Sequence, residues 1–180
     1  MQGLVNFTGE LGYIIAVLLP TFCYIASLAC FLFAGWGFWM QARPDNPFRG
    51  KPWIPAISLI LSGAFASFDK ILNMANASAG TAVQVSIGAL TSYTPPSAAN
   101  FTQGNTPGDT VVNVVTLFQG FFQSFGALAC FFAIVAWRSV VNGRSNRSQG
   151  GCLVQFVFGV MLINILTVTQ WLVSMFQVTA

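Results

Sequence analysis

Four apolar runs alternate with polar or basic segments along the chain. Leu11 to Met40 carries no charge, and a bilayer crossing needs only about 20 such residues. Pro20 falls inside this run and removes a helix hydrogen bond, which predicts a kink there. Either one long helix extends past the membrane, or a short interfacial segment precedes a span from about Pro20 to Met40. The next three runs start at Trp53, Asp109 and Gly151. The pattern predicts an all-α membrane protein with four spanning helices, over about 12–40, 53–74, 109–137 and 151–177. They pair as two like-oriented hairpins, 1–74 and 109–180, joined by a polar loop over 75–108.

Polar positions recur inside three of the runs at helical spacing. Ser58, Ser62, Asp69, Asn73 and Asn76 share one face of the second span. Asp109, Asn113, Thr116, Gln119 and Gln123 form a stripe on the third, continued by Ala127 and Cys130. Asn164, Thr167, Gln170, Ser174 and Gln177 form one on the fourth. Unpaired polar groups are costly in hydrocarbon, so these faces should meet other helices or water. Interhelical hydrogen bonding is one reading and the lining of a hydrated pore in an oligomer is the other. Small residues (Ala26, Cys30, Ala34, Ala127 and Cys130) allow close helix approach.

The segment 75–108 has no charged residue and is rich in Ser, Thr, Asn, Gly and Pro. Val83 to Ile87 alternates like a short strand or an interfacial segment. Tyr93 to Pro96 and Asn105 to Gly108 read as turns. Asn76-Ala-Ser78 and Asn100-Phe-Thr102 match a glycosylation sequon, which would mean nothing if the protein is bacterial.

Composition sharpens the class. Of 180 residues, 55% are hydrophobic and 6% charged, against about 25% charged in soluble domains. Six of the seven Lys and Arg lie in two short loops: Arg43, Arg49 and Lys51, then Arg138, Arg144 and Arg147. The positive-inside rule puts both loops in the cytoplasm and both termini outside. Basic residues confined to such loops give no sign of sequence-specific nucleic-acid binding. Met1 to Gly12 lacks Lys and Arg, so no cleavable secretory signal is expected.

Candidate chemistry is sparse. There is no histidine, and the four acids stand at separate places, so no nucleophile–base or paired-acid constellation forms. Cys23, Cys30, Cys130 and Cys152 lack metal or disulfide spacing and read as small apolar residues. Asp69-Lys70 is the one charged pair in an apolar run. It reads either as an interfacial pair with a snorkelling lysine or as part of an ion pathway. An enzyme is not expected, nor any metal or cofactor beyond bound phospholipid.

The two halves resemble each other. At an offset of 100 positions, Leu28-Ala-Cys-Phe31 recurs as Leu128-Ala-Cys-Phe131, and Phe22/Phe122, Asn46/Asn146, Gly50/Gly150 and Leu72/Leu172 also match. Shared architecture (two spans around a basic loop) is the stronger sign of internal duplication. Each half resembles the hairpin of conjugative type IV secretion pilins. The whole chain is similar in length, hydropathy and layout to the DotE/IcmC and TraQ group of type IVB secretion and IncI-type conjugation systems. The resemblance implies a homo-oligomeric inner-membrane subunit that contacts lipid and other components of such an apparatus. It also implies that Arg43, Arg49, Lys51, Arg138, Arg144 and Arg147 face a lumen or lipid headgroups. The alternative is a small four-span transporter or channel using Asp69-Lys70 and the polar stripes.

Overall fold

The computed structural model describes residues 2–85 and 107–177, and the described residues form helices and no strand. In chain order these are α1 (Gln2–Gln41), α2 (Trp53–Ala66), α3 (Phe68–Ser78), α4 (Pro107–Val141), α5 (Gln149–Ile163) and α6 (Ile165–Gln177). Among the described residues the regular structure is all helix, as the hydropathy pattern predicts. The turn read over 93–96, the Asn100 sequon and the first half of the Asn105 turn lie outside the described residues, and its second half, Pro107 and Gly108, opens α4.

α1 is one 40-residue helix with Pro20 inside it, which settles the first run as a single long element. At about 1.5 Å per residue it is about 60 Å long, twice a hydrocarbon core. α4 starts at Pro107, where a proline costs no internal hydrogen bond, and ends on Gly143 at φ 68°. The Arg144 N–H closes that end on the Ser139 carbonyl at 2.9 Å.

The second and fourth runs are not straight spans. α2 and α3 meet at 83° across Ser67, and α5 and α6 at 83° across Asn164. α1 and α4 are long and apolar enough to cross a membrane, and each bent pair adds a further span if counted as one. Neither break has a proline or glycine. In both, the side chain bonds back one turn: Ser67 Oγ donates to the Gly63 carbonyl at 2.7 Å, and Asn164 Nδ2 to the Val160 carbonyl at 2.9 Å. Such bonds compete with the helix ladder and bend it. The polar face expected from Ser58 to Asn76 is therefore split. Ser58 and Ser62 sit on α2, while Asp69, Asn73 and Asn76 belong to α3.

Both halves follow one order: long helix, basic turn, short helix, right-angle break, shorter helix. The break residues lie 97 positions apart, not 100, because the first basic connection (42–52) is longer than the second (142–148). Two of the offset-100 matches are thereby not equivalent. Gly50 is a turn glycine whereas Gly150 is helical, and Leu72 is buried whereas Leu172 is 43% exposed.

Small residues set the helix crossings. A Cβ on Gly126 of α4 would lie 2.6 Å from the Gly159 carbonyl of α5, and one on Gly159 would lie 2.5 Å from Cys130 Sγ. Between α1 and α2, Ser27 Oγ donates to the Ser62 carbonyl at 2.9 Å, and Gly37 faces the Pro55 ring. Gly12 brings α1 onto α4 at Phe121. Phe131 fills the centre, with ring centroids 5.4 Å from Phe65, 6.2 Å from Phe68 and 6.4 Å from Phe22. Cys23, Cys30, Cys130 and Cys152 are free and buried. The outer faces stay apolar, with Tyr24, Ile25, Leu28, Leu32, Leu153 and Phe158 all 60–67% exposed. Faces of that kind are compatible with a membrane location.

Candidate functional site: a basic end and an asparagine junction

The turns 42–52 and 142–148 lie at the same end of the bundle, at the C-terminal ends of α1 and α4. Six cations and Asp45 give that end +5, while Glu10, Asp69, Lys70 and Asp109 elsewhere sum to −2. The aromatic end of α1 organises the first turn. Phe48 packs edge-on against Phe33 and Trp36, with centroids 5.9 and 5.6 Å away. Asn46 Oδ1 accepts from the Phe48 N–H at 2.7 Å, fixing that ring. Arg43 lays its guanidinium 3.9 Å over Trp39, a contact worth about 0.5–1 kcal/mol at an exposed site. Arg49 and Lys51 stay exposed.

The second turn is more open. Arg144 and Arg147 are exposed, and Ser148 caps α5 by accepting from the Gly151 N–H at 3.0 Å. Arg138 differs from the other five. It is half-buried, with its guanidinium 5.3 Å over Phe33 of α1, and ties the two hairpins together instead of facing outward. A crevice of about 380 Å³ opens beside this turn, lined by Ala133, Ile134, Trp137, Cys152, Leu153 and Phe156.

The other end of the bundle carries the polar residues. Asn164, at the α5–α6 break, donates from Nδ2 to Asn76 Oδ1 of α3 at 2.8 Å, across 88 positions of chain. Its amide orientation follows from its two acceptors, Asn76 Oδ1 and the Val160 carbonyl, and its own Oδ1 is buried with no hydrogen-bond partner. Asn76 Nδ2 donates onward to the Val83 carbonyl at 3.0 Å, and Asn73 Oδ1 accepts from the Val85 N–H at 2.7 Å. These side chains replace the strand ladder that Val83 to Ile87 suggested: residues 83–85 are strapped to α3, and 86–87 lie outside the described residues. Asn76 is fully buried, so its sequon is unreachable. A crevice of about 260 Å³ at this break is lined by Asn164, Thr167, Val168 and Trp171.

The remaining polar candidates are scattered. Asn113, Thr116, Gln119 and Gln123 are half-buried along α4, and Thr116 Oγ1 is occupied by the Val112 carbonyl at 2.8 Å. Thr167 and Gln170 are exposed on α6, Lys70 is exposed on α3, and Asp69 is half-buried. Among the described residues no three His, Cys, Asp or Glu side chains converge as metal ligands. Spacing alone missed two features, the Gly126–Gly159 crossing and the Asn76–Asn164 bond. Both join residues from different elements, so no local pattern marks them.

No protein-family model, curated protein or solved structure matches the chain.

Proposed function

We propose that this chain is a non-enzymatic, self-assembling inner-membrane subunit of a bacterial conjugation or type IVB secretion apparatus. In this reading it arose from duplication of a pilin-like hairpin. The observation that carries the reading is the repeated order of the two halves, each a long apolar helix, a basic turn and a helix pair broken at 83°. The gathering of six cations at one end supports a cytoplasmic placement of both turns, with the termini in the periplasm. Five of those cations are free to meet anionic headgroups or a lumen, at about 1 kcal/mol per charge near such a surface. The Phe-rich outer faces would pack against lipid chains and neighbouring copies.

The test is location and form. Cells expressing a tagged copy are sheared, and filaments and inner membranes are separated and imaged by electron microscopy. The chain in filaments supports the pilin-like reading. Discrete inner-membrane particles alone would remove it and leave a channel component or a transporter.

The second reading is a small transporter or channel. Its support is the pair of broken helices with the unpaired, buried Asn164 Oδ1 at one of them, since discontinuous helices line transporter sites. Changing Gln119 and Gln123 together to Ala separates the two. Lost flux with intact assembly favours transport, and lost assembly favours the structural subunit.

A further inference from the structure

α3 and α6 have the same three-sided construction. At about 100° per residue, three groups of positions divide the circumference of each helix. On α3, Phe68, Leu72 and Asn76 face the bundle and are buried. Lys70, Asn73 and Ala77 form the next side, and Met74 and Ser78 the third. On α6, Ile165, Thr169 and Val173 turn inward, Thr167, Gln170 and Ser174 form the next side, and Trp171 and Met175 the third. The corresponding residues are 97 positions apart in every case. The order around the axis is the same: bundle, polar side, apolar side. Met74, Trp171 and Met175 are 62%, 57% and 50% exposed. Ser78 Oγ is satisfied by the Met74 carbonyl at 2.8 Å, so it adds no unpaired polar group to that side.

A helix fully inside a bilayer has no use for an exposed polar side, and a helix in water has none for exposed Trp and Met. Both sides are used where a helix lies flat at the boundary between headgroups and acyl chains.

The depth agrees. Trp36, Trp39, Trp53 and Trp137 all stand at the basic end, as a belt at one membrane face does. Phe68, the first residue of α3, and Phe22 of α1 both pack on the Phe131 ring, with centroids 6.2 and 6.4 Å away. Phe22 is 17 residues from Trp39, or about 26 Å along the helix. α2, with 14 residues, rises about 21 Å. A core of about 30 Å, less the 5–10 Å to which interfacial helices sink, leaves about 20–25 Å. The Asn76–Asn164 bond sets the start of α6 at the same level. Lys70 is the only Lys or Arg away from the basic end, and it stands exposed on the polar side of α3, within reach of lipid phosphates.

From this geometry we infer that α3 and α6 lie in the plane of the membrane face opposite the basic turns. They form a paired interfacial rim whose partner is the lipid surface itself. Met74, Trp171 and Met175 dip into the acyl region, while Lys70, Asn73, Thr167, Gln170 and Ser174 meet headgroups and water. The rim depends on the lipid boundary alone and is the same for a free subunit or an assembled one.

Two measurements test it. In a chain whose only tryptophan is Trp171 (the other four changed to Phe), vesicles are made with phosphatidylcholine brominated either high on the acyl chain or near its methyl end. The shallow bromine should quench Trp171 about twofold more strongly, as expected for a side chain in the boundary layer. Stronger quenching by the deep bromine would make α6 a true spanning segment. No quenching by either would mean that protein, such as a second copy, covers it, or that it stands in water. Each of these results overturns the rim.

The second measurement keeps the native tryptophans, and the four native thiols are buried. Gln170→Cys and Met175→Cys proteins in vesicles meet a charged maleimide present on both sides of the bilayer. Gln170→Cys should react, and Met175→Cys should react only after detergent is added. Equal reaction at both sites, or protection at both, overturns the rim.

Discussion

Gly126 lets the structure be tested at a single methyl group. In Gly126→Ala the new Cβ would stand 2.6 Å from the Gly159 carbonyl and 2.9 Å from the Ile163 nitrogen, both backbone atoms that no rotamer change can move. Ordinary contact begins at 3.4 Å, so α4 and α5 must separate by roughly 0.8 Å. A gap of that size forfeits about a quarter to a half of each dispersion contact along the crossing. Overpacking of this kind costs about 1–3 kcal/mol. The higher helix propensity of alanine offsets up to about 1 kcal/mol, leaving a net loss of about 1–2 kcal/mol. Gly63→Ala supplies the control, because nothing lies within 4 Å of its Cβ and it sits on the exposed side of α2. It should be neutral or slightly stabilising. The assay is reversible unfolding in mixed micelles by sodium dodecyl sulfate titration, followed by helical circular dichroism. Gly126→Ala as stable as Gly63→Ala would refute the close crossing. Gly159→Ala should also destabilise, and Cys130→Ala should partly rescue it by removing the sulfur 2.5 Å away.

Other outcomes follow from single contacts. A double-mutant cycle of Asn76→Ala and Asn164→Ala in the same assay should show coupling of about 0.6–1.7 kcal/mol, the range for side-chain hydrogen bonds in a membrane; additive losses would mean the 2.8 Å bond carries no energy. Ser58 Oγ is buried without a hydrogen-bond partner, so Ser58→Ala should be neutral or stabilise by up to about 1–3 kcal/mol. A loss of stability there would expose a partner for the hydroxyl. Changing Arg138, Arg144 and Arg147 together to Gln should impair membrane orientation or assembly, read by protease protection and native gels. Arg138→Lys alone should lower stability, because a compact, strongly hydrated ammonium replaces the guanidinium held 5.3 Å over Phe33, whereas Arg144→Lys should not.

The helical class was legible because hydropathy is a property of long windows, and four such windows stand out. The breaks were not legible for the same reason. Averaging over about 20 residues erases one serine or one asparagine, and neither Ala66-Ser67-Phe68 nor Ile163-Asn164-Ile165 contains the proline or glycine that most strongly breaks a helix. What bends the chain is a side chain bonding back to its own ladder, and many serines in helices do this without a bend. The repeat was legible through Leu28–Phe31 and Leu128–Phe131, which precede the basic turns. Beyond them the register shifts with turn length, so Leu72 and Leu172 matched by letter while Leu72 and Thr169 correspond in place. Of the stripe read over Asn164 to Gln177, Thr167, Gln170 and Ser174 share the exposed side of α6, whereas Asn164 is buried at the break. Their neighbour on the same helix, the exposed Trp171–Met175 edge, was not legible, because an apolar residue in an apolar run carries no contrast.

The two right-angle breaks also decide the shape of the molecule in cross-section. At the basic end four helices are seen end-on, and the footprint is that of a small bundle. At the level of Ser67 and Asn164 two of them turn sideways and the footprint widens, while α1 and α4 run on. If copies pack side by side, as the proposed function has it, the sideways helices and not the bundle set the spacing at that level, so one residue in each half fixes how near two copies can come there.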